Sequence, residues 1–183
     1  MNAEINNQNQ SLEALLESVS GCDGRALRGL LGQFATGVTV ITACTPDGRL
    51  IGMTANSFSS VSLEPAMVLW CLAKNAPSLN DFVSSSHFAI NILRADQEDI
   101  SGQFARPSDN KFAGVDYQCC DAGVPVLNDA VATLVCRNHT QYEGGDHLIM
   151  LGEIEHFRHE GGEPLLFHGG RYRNLATRSA SVN

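Results

Sequence analysis

The chain is short of charge, and of lysine above all. Charged residues make up 17% of its 183 positions, against about 25% in an average soluble domain. Of the 12 basic residues only Lys74 and Lys111 are lysines, the rest being arginine. The formal net charge is −8. No basic face of the kind that displaces counterions from nucleic acid is expected, nor adsorption to an anionic membrane. An anionic ligand would have to be met by these few cations, by backbone N–H groups or by hydroxyls.

Other absences narrow the field further. No stretch reaches 18 uninterrupted apolar residues, so a membrane-spanning helix is not expected. The segment MNAEINNQNQSLEALLESVS has neither a basic n-region nor an apolar h-region. The cysteines at 22, 44, 71, 119, 120 and 136 include no C-x-x-C, and Cys119 and Cys120 are adjacent. We therefore expect reduced thiols and a cytoplasmic location. There is no G-x-G-x-x-G after a strand, no G-x-x-x-x-G-K-[ST] and no G-x-S-x-G, so a Rossmann site, a P-loop and a nucleophile elbow are all unsupported. His156 and His159 are three apart in a segment that reads as a strand. They would point to opposite faces and cannot jointly chelate a metal without a bend.

What remains is a globular composition, 43% hydrophobic, at the length of one domain. A chain of this size buries roughly 70% of its extended surface and needs no staples. Residues 1–10 are rich in Asn and Gln and are expected to be disordered. Leu12, Leu15, Leu16 and Val19 predict a helix over 11–20. Leu27, Leu30, Leu31 and Phe34 predict a second over 25–34. We divide the chain into a tail with a short helix (1–22), a domain (23–175) and a C-terminal tail (176–183).

After Gly37 the period changes. VTVITACT (38–45), the turn PDGR and LIGMTA (50–55) read as a hairpin. AMVLWCLA (66–73) reads as a strand buried on both faces. SLNDFVSSS (78–86) reads as a short helix opened by Ser78, HFAINILR (87–94) as a strand, and ADQEDISGQF (95–104) as a helix capped by Asp96. Residues 105–117 read as a loop. Strands are expected over 131–142, 147–160 and 164–170. The helices do not alternate regularly with the strands, which argues against a doubly wound parallel sheet. The expected fold is mainly β: a small closed or nearly closed antiparallel β-barrel with short helices.

Four segments carry candidate chemistry. TANSFSSVS (54–62) offers hydroxyl, amide and backbone groups without charge or bulk, which suits the imide edge, polyol or phosphate of a flat cofactor. The same composition suits a Ser-rich loop closing a hairpin. Lys74, close before Ser78 at a helix start, is either a phosphate clamp or a solvated lysine. GGDH (144–147) puts His147 at a strand turn, where it is either a hydrogen-bonding group for a ligand or an exposed turn residue. HGGRYRN (168–174) gathers His168, Arg171, Tyr172 and Arg173, a nucleotide clamp or a polar rim.

The order of these segments is more telling than any one of them. FATGVTVITA, GMTANSFSSVSLEPAMVLWCL, K-x-x-x-S, HFAINIL, KFAGVDY, GGDH and PLLFHGGRY succeed one another over residues 27 to about 173. In this the chain resembles the flavin reductase components of two-component flavin-dependent monooxygenases. The resemblance implies a split β-barrel of the FMN-binding, Greek-key type, a homodimer, and reduction of FMN or FAD by NADH or NADPH. Reduced flavin would pass to a partner monooxygenase. It also implies flavin contacts along Gly52, Met53, Thr54, Ala55, Asn56 and Ser57, completed by Cys71, Leu72, Ala73, Pro77, Ser78, Gln103 and Phe104. Ser60, Ser62 and Lys74 would take the ribityl–phosphate side. His147, Arg171 and Tyr172 would meet the nicotinamide nucleotide.

Hydride transfer between cofactors asks for no covalent nucleophile, and none is assigned. Two rival readings remain: a barrel that holds flavin without turnover, and a pyridoxal-phosphate-type oxidase, which would want more Lys and Arg around a phosphate. One departure stands out. Arg137-Asn138-His139 follows Cys136 where an apolar continuation is expected, so that strand is either exposed or ends early.

Overall fold

The computed structural model describes residues 18–176. The tails over 1–10 and 177–183, and most of the helix expected over 11–20, lie outside the described residues. Helix α1 (Gly24–Leu31) starts at Asp23, whose carboxylate accepts from the Arg25 N–H at 3.0 Å. It ends three residues earlier than its periodicity predicts, at Gly32. Its apolar stripe is not buried: Leu30, Leu31 and Phe34 are all exposed.

Seven strands form one antiparallel sheet in the order β3-β2-β6-β9-β10-β5-β4. They are β2 (Thr39–Cys44), β3 (Leu50–Ala55), β4 (Ser59–Leu63), β5 (Ala66–Ala73), β6 (His87–Ile92), β9 (Ala132–Gly144) and β10 (His147–His159). The edge strands β3 and β4 are consecutive in the chain, with only Asn56, Ser57 and Phe58 between them. Four Cα steps reach about 15 Å, whereas six inter-strand spacings of a flat sheet span about 29 Å. The sheet must therefore curl until its edges approach. They do not pair, and the result is a barrel with an open seam.

The barrel interior holds Trp70, with Phe82 and Phe88 against it edge-on at 5.2 and 5.9 Å. Phe82 comes from α2 (Leu79–Ser84). The buried Trp70 Nε1–H has no hydrogen-bond acceptor, and these aromatic neighbours are its surroundings. Gly152 on β10 makes room for Phe88: a Cβ there would lie 2.4 Å from the ring.

Outside the barrel, α3 (Glu98–Ala105) and the ribbon β7–β8 (Tyr117–Cys119, Pro125–Leu127) cover β2 and β6. Val38, Val40, Leu93, Phe104, Leu127 and Leu165 form this second core. A small sheet of β1 (Thr36–Gly37), β11 (Leu166–His168) and β12 (Arg171–Arg173) completes the fold. Asn91 ties the layers together. Fully buried, it donates to Val40 O (3.0 Å) and Thr42 Oγ1 (3.2 Å) and accepts from Leu127 N (3.0 Å) and Thr133 Oγ1 (3.3 Å).

The structure corrects several expectations. The strand buried on both faces is β2, not AMVLWCLA: β5 alternates, with Val68, Trp70 and Leu72 buried and Met67, Leu69 and Cys71 half-exposed. The reason is that α3 and the ribbon cover β2, while the outer face of β5 is left partly exposed. Residues 59–62, for which a Ser-rich loop was one of two readings, belong to strand β4. Asp96 does not cap α3; it is 2.7 Å from Arg94 in an ion pair, and Gln97 holds the cap position, its side chain bonding Arg94 N and Asn128 O rather than the helix end. Strand β9 does not stop at Arg137. It runs exposed to Gly144, with Arg137 paired to Glu153 and, at 3.3 Å, to Glu155 across the ladder. All six cysteines are free thiols.

Two measurements check this account. Asn91→Leu leaves the Leu127 N–H and Thr133 hydroxyl without their acceptor. Urea unfolding is expected to show a loss of about 2–6 kcal/mol, since each of the two orphaned buried donors costs about 1–3 kcal/mol. Burial pushes the Cys136 thiol up to about 12 from an ordinary value near 9. That thiol should stay silent to a thiol reagent at pH 8 until the protein is denatured. Its contribution to stability is complete below pH 9 and is lost as the pH climbs toward 12, because only the unfolded thiol ionises in that window.

Candidate functional site

The seam is where this barrel has backbone groups to offer. The Lys111 ammonium donates to Gly52 O at 2.9 Å, so that carbonyl points away from β2. In an antiparallel strand the N–H and C=O of one residue share a side, and the side recurs two residues on. Thr54 therefore presents its N–H and C=O to the open edge. Across the seam, Ser57 is held by β5: its hydroxyl donates to Cys71 O (3.2 Å) and accepts from Cys71 N (2.9 Å).

Gly52 is fixed from both sides. A Cβ would meet the Phe104 ring at 2.5 Å, so glycine lets α3 pack directly on β3. Lys111 also donates to Phe104 O at 2.9 Å. Burial lowers its pKa. Thr54 reaches the same helix, donating to Ser101 O at 2.6 Å. Ser101, fully buried, bonds the Tyr172 hydroxyl at 2.8 Å. Gln103 donates to Lys111 O (2.7 Å) and Ala113 O (3.0 Å) and shapes the loop after α3.

A second group sits at the β9–β10 turn. His147 faces Ala73 across the β5–β10 ladder. Its Nδ1 lies 2.7 Å from Asp146 Oδ1. An ionised carboxylate only accepts, so Nδ1 carries the proton and Nε2 is left as an acceptor in the neutral ring. The hydrogen bond from His147, its charge whenever the ring is protonated, and Lys74 behind them hold the Asp146 carboxyl below its usual range. Lys74 braces the turn: its N–H donates to Asp146 O (2.9 Å), and its ammonium to Gly145 O (2.7 Å) while pairing with Glu143.

An open cavity of about 500 Å³ lies beside α3, walled by Glu98, Asp99, Gln103, Arg106 and Tyr172. A smaller one of about 230 Å³ lies between Cys120, Val135 and His156. No cluster of His, Cys, Asp and Glu suited to a metal occurs among the described residues. Nor is any described helix long and apolar enough to cross a membrane.

The expected site residues thus fall into connected groups. Gly52, Thr54, Gln103, Phe104 and Tyr172 meet around α3. Ala55, Asn56, Ser57 and Cys71 line the seam, and register carries Cys71 on to Ala73 and His147. Asn56 donates to Thr36 Oγ1 at 3.3 Å. Met53 packs against the barrel core. Leu72 and Phe104 are fully buried and offer no exposed surface to a ligand. Ser60 and Ser62 lie on edge strand β4, and Pro77 and Ser78 precede α2. Arg171 is exposed beside Tyr172. Tyr172 joins the α3 group rather than His147. Sequence reasoning missed Ser101 and Lys111; the rarity of lysine was the one signal that pointed to Lys111.

An antiparallel barrel whose open seam displays unpaired backbone groups and uncharged side chains defines a ligand-binding barrel. The chain belongs to the flavin reductase-like family: the model described as "Flavin reductase like domain" matches residues 31–176. It is 45% identical over 152 residues to "FMN reductase (NADH) SmoA" of Agrobacterium fabrum, covering 83% of this chain and 86% of that protein. It is 42% identical to the reductase component of flavin-dependent trigonelline monooxygenase of Acinetobacter baylyi, covering 86% of this chain. Some relatives are longer, and the chain spans 51% of that one. The solved NADH:FAD oxidoreductase SgcE6 of Streptomyces globisporus, in complex with NAD and FAD fragments, superposes with a TM-score of 0.82 at 41% identity, covering 88% of this chain and 98% of that one.

The role of Lys111 as the brace of the seam is open to a direct check. Lys111→Met removes the donors to Gly52 O and Phe104 O. Urea titration is expected to show about 1–3 kcal/mol lost, the usual range for hydrogen bonds to a charged group.

Proposed function

We propose that the chain is an NAD(P)H:flavin oxidoreductase that reduces FMN or FAD and supplies the reduced flavin to a separate monooxygenase. The observation that carries this reading is the open seam, with the free edge of Thr54 on one side and, through Cys71 and Ala73, His147 on the other. The residues fit a flavin. Its ring edge is rich in acceptors and its bulk is flat, and the seam offers backbone N–H groups beside the small residues Ala55, Asn56 and Ser57. When bound, flavin and nicotinamide supply the hydride chemistry between them.

The chain's own residues position and shield. The Thr54–Ser57 backbone orients the flavin edge. The hydroxyls of Thr54 and Ser57 donate to Ser101 O and Cys71 O, so they set the seam's width and leave recognition to main-chain groups. Lys74 holds the turn that carries His147, and the Asp146 carboxylate fixes its tautomer. Nε2 is thereby presented as an acceptor to the carboxamide of a nicotinamide. Tyr172, anchored by Ser101, walls the nucleotide side together with Arg171. These residues would hold a bound flavin and nicotinamide in position for hydride to pass between them.

The partly exposed outer face of β5 and β10 supports a homodimer. Met67, Leu69 and Cys71 of β5 stand beside Ile149 and Leu151 of β10 in register, next to exposed Tyr142. Such a half-exposed apolar sheet face calls for a partner surface. The free thiols accord with a cytoplasmic location.

Three outcomes are expected. Nicotinamide oxidation should require added or retained flavin; oxidation no faster than the uncatalysed rate with FMN and with FAD would leave only a flavin-holding barrel. His147→Ala should lower kcat/KM for the nucleotide roughly ten- to a hundred-fold, the effect of losing about 1–3 kcal/mol, with flavin affinity unchanged; an equal loss of flavin affinity would move His147 to the flavin side. Sedimentation equilibrium should give twice the 19.7 kDa chain mass, and a monomer at micromolar concentration would remove the dimer.

A further inference from the structure

The cavity beside α3 is walled by charged side chains of both signs that make no ion pair with any described residue. Arg49, Arg94, Arg137 and Arg158 are all in ion pairs. Among the described residues, Arg25, Arg28, Arg106, Arg171 and Arg173 are in none; of these, Arg106 walls the cavity of about 500 Å³ beside Glu98 and Asp99, which are in no ion pair either. That volume lies in the range of sites for small ligands, about 300–1,000 Å³. The opposite wall is rigid. Tyr172 is clamped by the buried Ser101 hydroxyl at 2.8 Å, and its ring packs edge-on against Phe167 at 5.5 Å. Ser101 O also receives the Thr54 hydroxyl at 2.6 Å, so this wall is joined to the seam through one residue. A rigid aromatic wall, an unpaired guanidinium and two unpaired carboxylates suit a ligand that carries a base, a diphosphate and vicinal hydroxyls.

We propose that this cavity receives the adenosine diphosphate half of the nicotinamide dinucleotide, and that Glu98 and Asp99 select NADH over NADPH. The inference rests on the reductase reading above and names the specificity within it. Arg106 meets the diphosphate bidentately. Carboxylates accept from ribose hydroxyls, as acidic residues do in other dinucleotide sites. A 2′-phosphate brought to the same place would set like charges side by side in a partly enclosed site, and rejection by repulsion is an effective route to specificity. The net charge of −8 adds to that rejection from afar.

The test has a binding arm and a kinetic arm. By calorimetry on the full chain, ADP-ribose should bind about tenfold or more tightly than its 2′-phosphorylated analogue. The double variant Glu98→Gln/Asp99→Asn should raise affinity for the phosphorylated analogue about tenfold while leaving the melting temperature unchanged, since both side chains are exposed. Arg106→Gln should weaken both probes alike. In steady state with saturating flavin, the double variant should move the NADH/NADPH ratio of kcat/KM toward unity by the same factor. A ratio that does not move while NADH is still oxidised overturns the proposal and leaves the reductase reading standing. A change in the preference for FAD over FMN, with the nucleotide ratio fixed, also overturns it, because the cavity would then hold the flavin's adenylate. Selective binding of ADP-ribose without any turnover supports the cavity assignment and counts against the reductase reading instead.

Discussion

Three residues joining opposite edges of a seven-stranded sheet are the constraint on which the rest of this structure depends. Asn56–Phe58 cannot span a flat sheet, so the sheet curls, and curling gives Trp70, Phe82 and Phe88 a common interior. The same short link stops the barrel from zipping shut. Edge strands that met in register would satisfy each other and leave no backbone group for a ligand. Instead Ser57 makes the bridge with its hydroxyl, and Lys111 covers one edge carbonyl, while Thr54 stays open. Closure and binding capacity thus come from one local feature.

Much of this was legible in the residues. The hairpin over 38–55 was readable because β-branched runs flank Asp47-Gly48, and β9 and β10 were readable because Gly144-Gly145 separates two alternating segments. What was not legible depends on what packs where. The apolar run 66–73 looks doubly buried by composition, yet its outer face is half-exposed. The polar strand β4 looks like a loop because edge strands carry serines as readily as loops do. The β7–β8 ribbon is too short to show a period. Asp96 looks like a cap, but a nearer arginine takes its carboxylate.

The candidate site divides in the same way. Residue types and their order located the seam, the turn and the C-terminal cluster. They did not show that Gly52 serves packing against Phe104, that Lys74 braces a turn, or that Tyr172 belongs with Ser101. Each of those is a partnership between distant segments, and no window of sequence contains both members. The odd side chains out, lysines in a chain almost without them, were the traceable hints, and both prove to hold backbone carbonyls.

The hairpin of β9 and β10 has thirteen residues in each arm, roughly 40 Å of ladder. Two register shifts, at Leu151/Gly152 and Ile154/His156, bend it along the way. It is therefore cranked between two clamped ends: β9 pairs with β6 at the base, and β10 pairs with β5 at the tip that carries His147. The two shifts set the angle at which the tip meets β5, and Lys74 fastens the turn beyond it. Evolution could retune the reach of His147 by substitutions at the cranks, far from any ligand, without altering a single residue of the seam.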